Sequence, residues 1–295
     1  MMNEVKAEPG VLTRLTSGLA SLTRKGSSGW MVIIGLVIVA ALVVMTAIAP
    51  LIAPYSPVKS MVGPIRSPPS TAYPMGTNQL GQDMLSRIFY GGSIMLQVSA
   101  LSVLVCFLVG VPLGLFFSYV GGYLDSTFSL IIDAVYAFPG LVIAIAIAAV
   151  LGPGVVNMAL SIAVVYIPSY YRIVRSQVLS IKELTYVEAA RSAGAKWHTI
   201  LSRYVFPNVI PSIVVVATIN FADAVLTAAG LTFLGLSVSK AVPDWGWDLT
   251  DGRQFLSSGA WWIITFPGLM IILLALGFTL IGEGLSEILN PKLQR

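Results

Sequence analysis

Few residues in this chain could carry out chemistry, and their placement points away from catalysis. One histidine, His198, and one cysteine, Cys106, are its whole supply of imidazole and thiol. There is no Cys/His cluster and no H-E-x-x-H, so the sequence offers no metal-ligand set. No G-x-x-x-x-G-K-[ST] loop is present to cradle a nucleotide phosphate, so the chain itself supplies no ATP site. His198 reads as a surface residue. Cys106 lies inside an apolar run and reads as a packing residue; alone, it forms no intrachain disulfide.

Asp223 stands near the middle of an apolar stretch, with Asn220 close by. An ionised carboxylate at that depth in a bilayer costs about 2.5–3.5 kcal/mol on insertion scales, so it must face water or the inside of a helix bundle. Asn220 and Asp223 therefore either line a path for a polar solute or hydrogen-bond to a neighbouring helix. Asp133 and Glu283 lie near the ends of their apolar runs and read as interfacial or paired residues.

A polar interruption carries the most information: 186–207, YVEAARSAGAKWHTILSRYVFP. Thr185, Tyr186, Val187 and Glu188 have the spacing of a capping box, which predicts a helix starting here with Glu188 reaching back to the threonine amide. That helix, 186–193, spans roughly 12 Å at 1.5 Å per residue. Gly194 then offers the left-handed conformation that ends a helix. A second helical piece is expected over 196–204, stopping before Pro207. Ala189 and Ala193 stack one above the other, as do Ala190 and Gly194, which leaves a side with almost no bulk for a partner protein to approach.

The elements that must hold these residues are membrane helices. Hydrophobic residues make up 56% of the 295 positions and charged residues only 10%, with a mean hydropathy of +0.87; a water-exposed globule is excluded. Apolar runs long enough to cross a 30 Å hydrocarbon layer recur at 30–53, 93–119, 128–151, 155–180, 208–231 and 261–285, giving an all-α membrane protein of six transmembrane helices. The first run is too long for the core of a signal peptide and reads as a retained anchor. Residues 1–29 form a polar basic tail, with a short interfacial helix expected over 12–22. The division expected is a cytoplasmic tail 1–29, a first helix 30–53, an extracytoplasmic segment 54–92, a five-helix core 93–289 and a cytoplasmic end 290–295. With the N-terminus inside, 12 of the 17 Lys and Arg residues fall on the cytoplasmic side, among them Arg172, Arg175, Lys182, Arg191, Lys196 and Arg203. The same count places 183–207 in the cytoplasm. Small residues recur every four positions at Gly110, Gly114, Ser118 and Gly122, and again at Ala144, Ala148 and Gly152, which predicts close helix crossings. Pro112, Pro139, Pro168 and Pro267 sit where they kink or break helices.

The pattern of Glu188, Ala189, Ala190, Gly194 and Pro207 resembles the EAA loop of permease subunits of ATP-binding-cassette (ABC) importers, with Tyr204 and Phe206 as mild apolar departures. Two further stretches extend the resemblance. MGTNQLGQDMLSRIFYGG, 75–92, is similar to the GTDxxGRDxxSRxxxG signature of the C-type permease subunit of dipeptide, oligopeptide and nickel importers. Gly76, Thr77, Gly81, Asp83, Ser86, Arg87 and Gly91 match it, while Asn78 replaces the usual Asp and Gln82 the usual Arg. PDWGWDL, 243–249, resembles the family's PEWGxML loop, Trp261 and Trp262 are placed like an aromatic belt, and the ending NPKL, 290–293, is also family-like.

The resemblance implies a type I importer permease fold in the plasma (inner) membrane of a prokaryote, with both termini cytoplasmic. It implies that 183–207 is a coupling helix seated on an ATPase, with Tyr186, Val187, Glu188, Ala189, Ala190, Ala193, Gly194, Ala195 and Pro207 as the coupling residues. The partners it implies are a homologous permease chain, two ATPase subunits that bind ATP and Mg, and an extracytoplasmic substrate-binding protein. The cargo implied is a di- or oligopeptide, with oligosaccharides or nickel as alternatives within the class. A secondary transporter is the rival from another class; it would call for ionisable residues deep in several spans, which the sequence lacks.

Overall fold

The computed structural model describes residues 23, 25–236, 238 and 242–289. The expected helix over 12–22, nearly all of the basic tail and the 290–293 motif lie outside them. Among the described residues the fold is all-helical, the only strand-like pairing being a single bridge between Thr77 and Asp83.

The elements follow in chain order. They are α1 (Gly26–Ala47), α2 (Ala49–Ile52), α3 (Met84–Val120), α4 (Gly122–Tyr136), α5 (Gly140–Leu151) and α6 (Val155–Ile181). Then come α7 (Thr185–Ser192), α8 (Trp197–Thr199), a π-helical turn Ile200–Val205, α9 (Phe206–Phe233), α10 (Trp245–Gly252), a 3₁₀ turn Arg253–Ser258 and α11 (Trp262–Leu289). Four of these are long and apolar enough to cross a membrane: α1, α3, the run Trp197–Phe233 and α11. The bent pair α4 and α5 makes a fifth if it is one span, broken by 87° at the Phe138–Pro139 step. The sixth expected span, α6, is 27 residues long but less apolar, carrying Asn157, Arg172 and Arg175. It lies against α3 with Tyr170, Tyr171, Val174 and Val178 fully buried.

The small-residue stripe explains that contact. A Cβ on Gly110 would stand 2.7 Å from the Cβ of Tyr170, and one on Gly114 would stand 2.8 Å from that of Val174. Only hydrogen fits there, and Ser118 in the same row is fully buried. The stripe stops at Ser118: Gly122 lies past the break in the helix and meets no neighbour. In α5, Ala144 and Ala148 are buried while Gly152 ends the helix instead of packing. The Cys106 thiol donates to the Ala163 carbonyl across the same α3–α6 contact. Asp133 is paired, with Arg172 at 2.6 Å, and Asp125 receives a two-pronged contact from Arg175. These pairs tie α4 to α6. Glu283 is exposed.

Two boundaries depart from the sequence expectation. Helix α3 begins at Met84, well before 93, because the Asp83 carboxylate accepts from the Ser86 amide and caps it; Met84 and Ile88 on the added turns are buried. The second helical piece after α7 does not stop before Pro207. It runs on into α9, and Pro207 is accommodated in the first turn of α9 directly after the π-helical turn. Proline lacks an amide hydrogen and clashes with the carbonyl four residues back, and a wider turn relieves both problems.

Candidate functional site

Two polar regions lie at opposite ends of α3, and a cavity lies between them. At the loop-rich end, the 54–83 segment folds over α3 and onto α10. Arg87, 2% exposed, bonds Asp248 through Nε at 2.8 Å and NH2 at 2.7 Å, and its NH1 reaches Gln82 Oε1 and the Pro57 carbonyl, each at 3.0 Å. The two departures from the signature meet each other: Asn78 Nδ2 donates to Gln82 Oε1 at 2.8 Å. Where the signature has Asp and Arg, both residues here are neutral, so neither is left as an unpaired buried charge. Trp245 donates to the Ile88 carbonyl and lies over Gly91 and Gly92, where a Cβ would come within 2.8 Å of its ring. Trp262 is buried and donates to the Thr77 carbonyl, so only Trp261, half exposed, is placed to sit at an interface. Asp244 caps α10 through the Gly246 amide. Burial pushes its carboxyl up to about 7, against the pull of that amide.

The opposite end carries α7. Its start differs from the sequence expectation: Leu184 is the cap residue and Thr185 is already helical, with no side-chain cap bond. The capping box does not form, and the Glu188 amide bonds back to the Leu184 carbonyl as in any helix. Its end is as expected. Gly194 has φ +82°, the Ala195 amide reaches the Ala190 carbonyl and the Gly194 amide reaches that of Arg191, both at 3.0 Å. This is the Schellman closure. Val187 is fully buried in a cluster with Val178, Ile181, Ile200, Leu201, Val205 and Val209, and it anchors the helix. Tyr186 packs on Tyr204, with ring centres 6.4 Å apart, and its hydroxyl accepts from Asn208 Nδ2. Glu188, Ala189, Ala193 and Gly194 are exposed, and Ala190 and Ala195 partly so. The structure thus gathers Tyr186 to Ala195 on one short helix and its closing turn, with Pro207 at the base of α9.

Asn220 and Asp223 lie together on α9 and line one cavity of about 480 Å³ bounded by the bend between α4 and α5, by α6 and by α9. Tyr166 and Thr227 share a 2.8 Å hydrogen bond on its wall, and the Thr227 hydroxyl donates to the Asp223 carbonyl at 2.8 Å. Thr227 therefore accepts from Tyr166. Sequence reasoning missed Tyr166, Ser169 and Thr227, since isolated hydroxyls in apolar runs carry no pattern. Pro139, beside Gly140, was the one legible sign of the bend.

Residues 110–295 match the family described as binding-protein-dependent transport system inner membrane component. Residues 30–69 match the N-terminal TM domain of oligopeptide transport permease C. The dipeptide transport system permease protein DppC of Alkalihalophilus pseudofirmus is 38% identical over 89% of this chain and 86% of its own length. The glutathione transport system permease protein GsiD of Pectobacterium atrosepticum is 40% identical over 77% and 75%. Among solved structures, an inward-facing form of the MetNI methionine ABC transporter superposes with a TM-score of 0.56 at 21% identity, covering 70% of this chain and 98% of that one. It shares the fold. From the family match over 110–295 and relatives aligned along most of its length, this chain belongs to the family of binding-protein-dependent transport system inner membrane components.

Proposed function

We propose that this chain is one permease half of an ATP-driven importer of di- or oligopeptides in a prokaryotic inner membrane, with both termini cytoplasmic. A homologous permease would complete the path, two ATPases would dock on the α7 end, and a binding protein would deliver cargo at the loop-rich end. The peptide reading draws on relatives named as dipeptide, di/tripeptide and glutathione permeases.

One observation carries the mechanism. Trp197–Phe233 is a single 37-residue helical run, with its first turns packed on α7 and Asn220 and Asp223 further along it. From Pro207 to Asn220 is about 20 Å at 1.5 Å per residue. A push on α7, transmitted through Val187 into the π-helical turn, would reach the cavity wall along one continuous helical run. Alternating access then needs the two ATPases to draw the paired α7 helices together and release them. Nothing in this chain hydrolyses ATP; its part is mechanical.

Tagging the chain in its native membrane, extracting it in mild detergent and identifying its partners tests the proposal. Recovery of a second permease and Walker-motif ATPases, followed by ATP-dependent uptake of a labelled dipeptide by the reconstituted complex, is expected. A folded chain recovered alone would overturn the importer reading and return the secondary transporter. Uptake of nickel or an oligosaccharide instead would overturn the peptide assignment only.

A further inference from the structure

The cavity beside α9 has an unbalanced chemistry. Asn220 is 4% exposed, yet its Nδ2 has no acceptor. The Asp223 carboxylate faces the same space, and among the described residues no cation pairs with it. The Thr227 hydroxyl is spent on the Asp223 carbonyl and the Tyr166 hydrogen on Thr227, leaving the phenol oxygen as a further acceptor. No Lys, Arg or His lines the cavity. It therefore presents a negative charge, an extra acceptor, one unused amide donor and the hydroxyls of Tyr136 and Ser169.

A lone carboxylate at membrane depth is costly, and burying an amide donor without a partner adds to the cost. Both are offset by a ligand carrying a cation next to a carbonyl. Asn220 and Asp223 are three residues apart and so share one helix face, their side chains about 5–6 Å apart. That spacing suits the free amino end of a peptide, whose ammonium lies beside its first carbonyl. We infer that Asp223 receives the terminal ammonium of a passing peptide and Asn220 Nδ2 donates to its first carbonyl, so that this cavity selects for a free amino terminus. The inference rests on the reading that the cavity lies on the translocation path. A carboxyl end presented to the same wall would meet repulsion from Asp223 and find no cation, which fixes the peptide's direction in the site.

The test uses the full transport complex in proteoliposomes with labelled alanyl-alanine and its binding protein. Asp223→Asn removes the charge and keeps the shape, and Asp223→Glu restores the charge. We expect the Asn variant to assemble with its partners but lose at least about tenfold in maximal uptake, as befits one charge-assisted hydrogen bond, and the Glu variant to recover part of it. Ser169→Trp, which places a bulky ring in the cavity, should abolish uptake. If Ser169→Trp blocks uptake but Asp223→Asn does not, the path stands and the ammonium site is overturned. If neither affects uptake, the path reading falls and the inference with it. If Asp223→Asn prevents assembly, the carboxylate pairs with a cation of the partner permease, and the inference is likewise overturned.

Discussion

The loop-rich cluster around Arg87 and the α7 segment are both polar interruptions of an apolar chain, and the structure uses them in opposite ways. Around Arg87, polar groups are spent on the chain itself: Arg87 on Asp248, Gln82 and Pro57, Asn78 on Gln82, Asp83 on Ser86, Trp262 on Thr77. On α7 a single side chain, Val187, is fully buried, and Ala189, Ala193 and Gly194 face outward. A signature of buried, mutually bonded polar residues is an internal latch. One of small exposed residues over an apolar anchor leaves its outer face without contacts in the chain itself, as the proposed ATPase docking requires. The distinction lies in where each side chain finds its contacts, which residue type alone does not reveal.

The largest effect should come from the latch. Arg87→Ala strands the Asp248 carboxylate in a site 3% exposed, and breaking a buried pair from one side costs about 3–5 kcal/mol. Thermal unfolding of the detergent-solubilised chain should show a fall of that size, with the 54–83 segment becoming protease-sensitive. The double variant Arg87→Met, Asp248→Leu should recover much of the loss, because neither member of the pair is left as an unpaired buried charge. Equal loss in the single and double variants would mean that shape, not charge pairing, holds the latch.

A second effect is pH dependence confined to the same end. Asp244 has its pKa pushed up to about 7 by burial and by the neighbouring Asp248, against the pull of the Gly246 amide and Arg87. The unfolded carboxyl titrates near 4. Between those values the folded chain holds the proton and the unfolded chain does not, so stability should fall as pH rises from about 4 to about 7 and then level off. Asp244→Asn should flatten that part of the melting profile. An unchanged slope would assign the dependence to another group.

On the α7 side the expected losses move from stability to transport. Gly194→Pro cannot adopt φ +82° and removes the amide that bonds Arg191, so the turn opens. Insertion and unfolding temperature should stay near those of the parent chain, while ATP-driven uptake falls by about tenfold or more, as misplacing a positioning element can do. Failure to insert would make the turn structural and erase the contrast with the latch.

Much of this was legible in the sequence, and each miss has a physical reason. Hydropathy located the long helices, and fourfold spacing marked Gly110 and Gly114, because both depend on periodicity within one element. The Gly194 stop was legible because one backbone conformation demands one residue type. The Thr185–Glu188 cap failed because Leu184 takes the cap position, a one-residue shift in the exit from α6 that the local pattern does not encode. Trp262 was missed because its place depends on a contact distant in sequence, with Thr77, and the early start of α3 because it rests on the Asp83 cap, which lies outside the apolar run that hydropathy marks. Asn220 and Asp223 were readable as a polar pair at depth. Their cavity was not, since Tyr166 and the Pro139 bend come from other helices.

The smallest change in stability should be the most informative about α7. Ala189 is exposed in mid-helix, and Leu is nearly as good a helix former as Ala, so Ala189→Leu should alter unfolding by no more than about 0.5 kcal/mol. If the smooth face is a docking surface, the added side chain holds the partner off, and recovery of the ATPases with the tagged chain should drop while the second permease still co-purifies. Glu188→Lys, which reverses a charge on the same exposed helix, should behave alike, since Glu188 has no capping role to lose. The comparable change at the latch, Gly91→Leu, would drive a side chain into Trp245 and should reduce stability outright. Normal ATPase recovery with Ala189→Leu would show that α7, like the latch, serves only its own chain.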